Sequence, residues 1–122
     1  MIPSMRLVVP WVTFHAVVRY AERIMLADLI RERRRLKLTF KRTGELDFQL
    51  AGILAGRGYD LQEIGEYIFA STEPARLYKA DYIIANGVRY CLERNVVITL
   101  MPKKKRSKRA VRRAAWPQDL FG

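Results

Sequence analysis

Apolar residues recur every three or four positions near the start of the chain, which is the spacing of one face of an α-helix. These apolar positions are Phe14, Val17, Val18, Ala21, Ile24, Met25 and Leu29. Charged residues such as Arg19, Glu22 and Glu32 fall between them. The pattern predicts an amphipathic helix from about 13 to 35, whose last turn is an arginine-rich run at 31–35.

Two other stretches have the pattern of β-strands. In residues 36–41 every second residue is apolar, which is the period of a half-buried strand. Residues 96–101 are mostly β-branched or apolar. We predict that these two segments pair as a two-stranded β ribbon. Residues 5–14 are a candidate third strand, at an edge or bent because of Pro10.

The middle of the chain predicts two short helices joined by a tight turn. Thr43 is placed to cap a helix from 44 to about 56, and Gly58 suits the left-handed residue that follows a helix end. Asp60 and Glu63 have the spacing of a capping box, with aspartate in place of serine or threonine. The second helix therefore begins just after Asp60.

A third helix is predicted from about Pro74 to Glu93. The residues available for burial on it are Leu77, Tyr82, Ile84, Val88, Cys91 and Leu92. These elements together predict an α+β fold that is predominantly helical: a small helical bundle with a short two-stranded ribbon. At 122 residues the chain suits one domain, which we place at 1–101, followed by a basic, flexible, nucleic-acid-binding tail over 102–122.

The chain carries a large excess of positive charge. Its 23 lysines and arginines against 12 acids give a net charge of +11, and residues 103–122 hold eight of the basic residues and one acid. Such charge indicates a polyanionic partner. Nucleic acid is favoured, with DNA preferred to RNA, over an anionic membrane surface. Cations at 31–35 would also stabilise the end of a helix dipole, so that run has a structural interpretation as well.

The candidate phosphate contacts are the basic residues of the first helix and the following strand, of the turn and third helix, and of the tail. They are Arg31, Arg33, Arg34, Arg35, Lys37, Lys41, Arg42, Arg57, Arg76, Lys79, Lys103, Lys104, Lys105, Arg106, Lys108, Arg109, Arg112 and Arg113. Arg31 to Arg35 and Lys103 to Arg113 are expected to make most of the contact. Arginine suits this task because its guanidinium binds phosphate in a bidentate manner.

The two middle helices have the spacing of a helix-turn-helix, but the second one does not suit DNA. It carries Asp60, Gln62, Glu63 and Glu66, and no Lys or Arg occurs between Asp60 and Ala75. Carboxylates are repelled by phosphates, so we expect this helix to pack rather than to enter the major groove.

Three tyrosines accompany the cations of the predicted third helix. Tyr78, Tyr82 and Tyr90 lie near Arg76 and Lys79 in the sequence. Aromatic rings beside cations can stack on unpaired bases. Tyrosines in a small domain also form its core, and both interpretations remain open at this point.

The sequence offers no set of residues for catalysis. His15 is the only histidine and Cys91 the only cysteine, and each falls among apolar residues. Neither a metal site nor a Cys–His nucleophile pair follows from two such residues, and no glycine-rich phosphate loop is present. We expect no cofactor or metal and predict that the protein is not an enzyme.

Two features bear on location. A lone cysteine fits a reducing compartment, and the most apolar N-terminal stretch, 7–18, is shorter than the roughly 20 residues that a spanning helix needs. We therefore expect no integral membrane association and a cytoplasmic, nucleoid-associated location. The basic run after Pro102 is also similar to a nuclear import signal, which applies if the host is a eukaryote.

Residues 43–94 resemble the small helical accessory module on the C-terminal side of primase domains in plasmid and phage replication proteins. The resemblance lies in an acidic residue, Ala and Leu at helical spacing, a Gly turn, a helix with Ile, a basic loop and a Tyr-bearing helix. The matching positions are Asp47, Ala51, Leu54, Gly58, Ile64, Arg76, Tyr82 and Val88. The resemblance implies an accessory role in priming or origin engagement, with the catalytic carboxylates on another domain.

The last residues resemble a second replication motif. Asp119, Leu120 and Phe121 are similar to the end of the peptide by which bacterial replication proteins dock on the sliding clamp, where two hydrophobic side chains fill a pocket. Alternatively, these residues and Trp116 fold back onto the domain.

The sequence thus predicts a non-enzymatic nucleic-acid-binding protein, an accessory factor in replication or maintenance of a plasmid or phage. One alternative is a ribosomal or ribosome-associated RNA-binding protein. Another is an adaptor that uses its acidic helix face for a protein partner. The sequence does not specify whether the nucleic acid is single- or double-stranded, which base sequence is preferred, or the oligomeric state of the protein.

Overall fold

A computed structural model describes residues 6–103 of the chain. Five helices and five strands lie within this range. In chain order they are β1 (Leu7–Val9), β2 (Val12–Thr13), α1 (Phe14–Arg23), α2 (Ile30–Lys37), α3 (Thr43–Gly56), α4 (Leu61–Ser71), α5 (Glu73–Leu77), β3 (Tyr82–Ala85), β4 (Val88–Glu93) and β5 (Val96–Pro102).

The strands form one mixed sheet in the order β1-β2-β5-β4-β3. Strands β3, β4 and β5 are an antiparallel meander, and β1 and β2 are an antiparallel pair. The two groups join through a parallel pairing of β2 and β5, in which Val12 lies opposite Val97. The last strand of the domain is therefore the central strand of its sheet.

Tight turns with left-handed residues connect the meander. Asn86 and Gly87, with φ of 53° and 76°, join β3 to β4, while Arg94 and Asn95, with φ of 51° and 70°, join β4 to β5. Two successive residues with positive φ are the signature of the type I′ turn, whose twist matches that of antiparallel strands. The Asn-Gly dipeptide is the sequence pattern that this turn favours most.

The core lies between the inner face of the sheet and helices α1 and α4. Alternate residues of β4, namely Val88, Tyr90 and Leu92, are buried there. Helix α4 approaches the β1 edge closely, because Gly65 leaves room for the valines of that strand: a Cβ at this position would come within 3.2 Å of the Val9 side chain. A second cluster of buried residues joins α1 to α3.

The predicted first helix and the strand after it differ from the structure. The helix stops at Arg23, Leu26 has a φ of 61°, and α2 begins at Ile30, whose amide donates to Asp28 Oδ1 at 3.2 Å. The predicted strand at 36–41 is wrong. Helix α2 runs to Lys37, and a further helical turn places the Phe40 amide 2.8 Å from the Leu36 carbonyl.

The predicted helix from Pro74 to Glu93 is wrong as well. Helix α5 ends at Leu77, and the next residues form strands β3 and β4. The predominantly helical bundle with a two-stranded ribbon is therefore contradicted by the five-stranded mixed sheet. Apolar residues on both sides of the sheet explain the error: those on the two faces of β3 and β4 together imitate helical spacing.

Other predictions are confirmed. Helices α3 and α4, the strand after Asn95 and the strands before Phe14 are all present. Gly58 has a φ of 97°, and the Asp60 side chain accepts a hydrogen bond from the Glu63 amide at 3.0 Å. Thr43 is not the cap, because α3 begins at Thr43 with Arg42 in the N-cap position.

Candidate nucleic-acid interface

Six cations on and just after α2 form an exposed basic region, called here the α2 surface. It consists of Arg31, Arg34, Arg35, Lys37, Lys41 and Arg42, all exposed. Arg31, Arg34 and Arg35 are three and four residues apart, so they are neighbours on one face of the helix. None of the six forms an ion pair with any other residue in the described part of the chain.

Two further arginines of the predicted set point to partners within the domain. Arg33 makes a two-point contact with the Glu22 carboxylate, at 2.6 Å from Nη2 and 3.3 Å from Nε. Arg57 donates to the Asp28 carbonyl at 2.7 Å and to Glu32 Oε2 at 2.9 Å. Both guanidiniums therefore connect α2 and the segment before it to neighbouring helices.

A shallow depression lies where α2 meets the end of α3. Its lining combines three arginines and two acids with one apolar residue: Asp28, Ile30, Arg31, Glu32, Arg34 and Arg57. Arg31 and Arg34 form one wall as exposed cations, and the other cation, Arg57, is neutralised by Glu32. The depression gives the α2 surface a concave border.

Arg76 is half-buried and engaged at the junction of α4 and α5. Its guanidinium donates to Thr72 Oγ1 and to the Phe69 carbonyl, both at 2.7 Å, and lies 4.1 Å from the centre of the Phe69 ring. Burial lowers the pKa of Arg76 from its ordinary value. This arrangement gives Arg76 a structural role, since it satisfies a carbonyl at the helix end.

Lys79 and Arg94 are brought together at the far end of the meander. Both are exposed, and with Ala80, Asp81 and Asn95 they line a small depression. The positive φ of Lys79 and Arg94 places both residues in turns. They are fifteen residues apart in the sequence, so their proximity comes from the sheet.

The outward face of the meander carries an aromatic ring, a cation and several apolar side chains. We call it the outer sheet face; its described residues are Tyr82, Ile84, Arg89, Cys91, Thr99 and Met101. Strand pairing places Ile84, Arg89 and Met101 in one row across the sheet, and Tyr82, Cys91 and Thr99 in the next. The Arg89 guanidinium lies 4.4 Å from the centre of the Tyr82 ring.

The three tyrosines considered for base stacking have different environments. Tyr90 is fully buried in the core, and burial raises the pKa of its hydroxyl. Tyr78 is 82% exposed in the turn after α5, and Tyr82 is 51% exposed on the outer sheet face. Only Tyr78 and Tyr82 are accessible to a ligand, and Tyr82 lies beside Arg89 rather than beside Arg76.

A buried hydrogen-bonded pair was missed by the sequence analysis. His15 Nδ1 lies 2.7 Å from Asp47 Oδ2, and the Asp47 side chain is only 2% exposed. An ionised carboxylate can only accept, so Nδ1 carries the proton of this bond. The pair connects the first turn of α1 to α3. No local sequence signal indicates it, because the two residues are 32 positions apart.

The same face of α1 also carries an ionic group. Arg19 Nη1 lies 3.3 Å from Glu22 Oε1, the oxygen that also binds Arg33. Burial, and then the positive charge of Arg33, lower the pKa of Arg19. We call Arg19, Glu22, Arg33 and the His15–Asp47 pair the inner charge cluster.

Further findings concern metals, membranes and the chain end. Within residues 6–103, no three histidine, cysteine or acidic side chains are grouped to hold a metal ion. No helix in this range has the length and apolar character needed to cross a bilayer. The candidate contacts Lys104 to Arg113, and the docking residues Asp119, Leu120 and Phe121, lie outside the described residues.

Comparisons with known proteins provide no relative from which to carry over a role. No family model matches the chain, and neither a curated protein nor a solved structure matches it. Its function is therefore argued from its own residues and their geometry.

Proposed function

We propose that this protein is a non-enzymatic nucleic-acid-binding protein that holds the phosphate backbone with the α2 surface and with the cations from Lys103 onward. One observation carries the proposal: neighbouring arginines of α2 differ in whether an acid of the domain neutralises them. Arg33 is neutralised by Glu22, whereas the six cations of the α2 surface are exposed and make no ion pair among the described residues. Exposed, unneutralised guanidiniums attract a polyanion most strongly.

The physical basis of binding is the release of counterions from the phosphate backbone. Each phosphate neutralised by Lys or Arg releases condensed cations, so affinity decreases steeply as salt increases. Arg31, Arg34 and Arg35 lie close enough on one helix face to contact adjacent parts of one backbone. The α2 surface thus acts as a phosphate clamp that does not read sequence.

The biological setting that we propose is replication or maintenance of a plasmid or phage, in the cytoplasm at the nucleoid. Its support is the resemblance of residues 43–94 to the primase accessory module and the clamp-like residues at the chain end. The helix pair that this resemblance implies corresponds to α3 and α4, while Tyr82 and Val88 lie on strands. The support therefore comes from the part of the resemblance that covers α3 and α4.

Salt-titrated binding tests the proposal. The full-length protein is mixed with fluorescent duplex DNA, duplex RNA and single strands of each, and anisotropy is measured over a range of KCl concentrations. We expect the logarithm of affinity to decrease linearly with the logarithm of salt. In the Arg31→Gln/Arg34→Gln/Arg35→Gln variant, the slope should become shallower by about 0.9 for each lost contact with duplex DNA.

A charge-matched control separates position from net charge. Glu63 and Glu66 are exposed on α4, and changing both to Gln in the triple variant restores two of its three lost charges. Binding should stay weak if the α2 surface makes the contact, and recovery would contradict the assignment. A preference for RNA together with co-sedimentation with ribosomes would support the ribosomal alternative instead.

A further inference from the structure

The outer sheet face is an open, partly apolar surface with a cation at its centre. Tyr82, Ile84 and Met101 are 51%, 46% and 42% exposed on three adjacent strands. The helices that form the core pack against the opposite side of the sheet. A soluble domain that leaves such side chains uncovered often uses them to bind a ligand.

The chemistry of this face suits an unpaired base. The Arg89 guanidinium already lies over the Tyr82 ring at 4.4 Å, so a flat aromatic group and a delocalised cation form one platform. Bases stack on both kinds of group, and they do so without regard to sequence. Ile84 and Met101 flank Arg89 on the neighbouring strands and extend the apolar surface.

A cation, Lys103, lies at one end of this face. The Lys103 amide donates to the Gly87 carbonyl at 2.7 Å, which places Lys103 beside the turn between β3 and β4. Glu93, an exposed acid at the end of β4, lies at the opposite end of this strand, beside the turn between β4 and β5. The charge distribution therefore favours a polyanion over an apolar protein segment.

We propose that the outer sheet face binds single-stranded nucleic acid by stacking an unpaired base on Tyr82 and Arg89. The backbone of the strand then passes toward Lys103. This inference rests on the proposed nucleic-acid function and adds a second surface with a different preference. The α2 surface binds phosphates of any strand, whereas the outer sheet face needs a base that is free of its partner.

The decisive experiment compares two ligands of equal charge. Full-length protein is titrated with a fluorescent oligothymidylate and with an abasic oligonucleotide of the same length. We expect Tyr82→Ala to weaken oligothymidylate binding about tenfold and to leave abasic binding unchanged. Tyr82→Phe, which keeps the ring, should bind like the original chain, and duplex DNA affinity should be the same in all three proteins.

A footprint at Cys91 locates the ligand independently of any substitution. Cys91 is the only cysteine in the chain and lies directly opposite Tyr82 on the outer sheet face. Its alkylation by iodoacetamide should slow when oligothymidylate is added and should not change with the abasic strand. Unfolding in urea confirms that Tyr82→Ala is folded under the conditions of the titration.

Several results would overturn the inference. Equal losses for both strands in Tyr82→Ala would assign the effect to charge or folding rather than stacking. A Cys91 that reacts slowly in the free chain, with no change on adding the strand, would mean that another occupant covers the face. If duplex binding still depends on salt and on Arg31, Arg34 and Arg35 while Tyr82→Ala has no effect, the inference fails and the proposed function stands. If no variant or strand shows binding, both fail.

Discussion

Adjacent arginines of one helix turn have opposite surroundings in this protein. Arg33 belongs to the inner charge cluster, where its side chain is 17% exposed and bound to Glu22. Arg34 belongs to the α2 surface and is exposed. The inner charge cluster joins α1, α2 and α3 to one another, whereas the α2 surface is available to a ligand. Charge counted along a sequence therefore overestimates the charge available for binding, because some of it holds the helices together.

The difference also predicts how each region responds to substitution. Removing an inner charge leaves its partner half-buried without compensation, so stability decreases. Removing an outer charge leaves no buried partner, so stability hardly changes and the affinity for a polyanion decreases. Stability and salt-dependent binding should therefore separate cleanly between the two regions.

The largest effect is expected at the His15–Asp47 pair. His15→Phe removes the donor from a carboxylate that is 2% exposed, and the free energy of unfolding should decrease by about 3 kcal/mol. Urea denaturation measures this change. The double variant His15→Phe/Asp47→Leu removes both hydrogen-bonding partners and should recover at least half of the loss. A cost well below 1 kcal/mol for His15→Phe would show that the pair is not a structural contact.

Arg33→Gln and Arg34→Gln compare the two regions directly, since each removes one arginine from α2. Arg33→Gln breaks the two-point contact with Glu22 and should cost about 2 kcal/mol without changing the salt slope. Arg34→Gln should cost less than about 0.5 kcal/mol and make the salt slope for duplex DNA shallower by about 0.9. Denaturation and anisotropy on the same samples test both expectations. Equal stability losses would remove the distinction between the two regions.

The buried hydroxyl of Tyr90, a neutral group, predicts a dependence of stability on pH. Burial raises the pKa of Tyr90 above its ordinary value of about 10. The unfolded state therefore loses this proton first, and stability should decrease as pH rises above about 10, by up to about 1.4 kcal/mol for each pH unit. Tyr90→Phe should flatten this slope and leave the pH dependence of stability below pH 9 unchanged. An unchanged slope in the variant would assign the alkaline effect to other groups.

A smaller loss of stability than at His15 or Arg33 is expected at Arg76, which sequence analysis included among the candidate phosphate contacts. Arg76→Gln loses the hydrogen bonds to Thr72 and to the Phe69 carbonyl and should cost about 1 kcal/mol. Affinity for duplex DNA should not change, because the guanidinium is engaged within the domain. If Arg76→Gln kept full stability and had a shallower salt slope, Arg76 would be a phosphate contact rather than a structural residue.

Local signals in the sequence were sufficient for the central helices. A left-handed glycine at Gly58 and an aspartate cap at Asp60 define a helix boundary through contacts within four residues. Such contacts are present in the sequence itself, and the structure confirms α3 and α4. The break between α1 and α2 had a weaker signal: Asp28 lies two residues before Ile30 and accepts a hydrogen bond from its amide, although Leu29 occupies the N-cap position.

The strands were harder to predict because their pattern depends on both faces of the sheet. Ile83, Val88, Tyr90 and Leu92 face the core, while Tyr82 and Ile84 are apolar on the outer side. Apolar residues on two faces remove the clean alternation that identifies a strand. The Asn-Gly pair at 86–87 was the informative signal, since it favours a two-residue hairpin turn over a helix.

Helical geometry alone predicts which arginines of α2 share a face. Arg31, Arg34 and Arg35 are separated by three and four residues and share a face, whereas Arg33 is two positions from Arg31 and points elsewhere. The partner of Arg33 could not be predicted in this way. Glu22 is eleven residues earlier and reaches Arg33 only because the chain bends between α1 and α2. Long-range partners of this kind require the fold.

The central position of β5 has a consequence for how the molecule is made. Ribosomes synthesise this strand last among the ten elements described, yet β2 and β4 both hydrogen-bond to it. Until residues 96–102 emerge, the nascent chain has two incomplete half-sheets with open edges, which invite wrong pairings with other chains. We expect a chain that stops before Val96 to aggregate, and the sheet to be completed only after residues 96–102 have been synthesised.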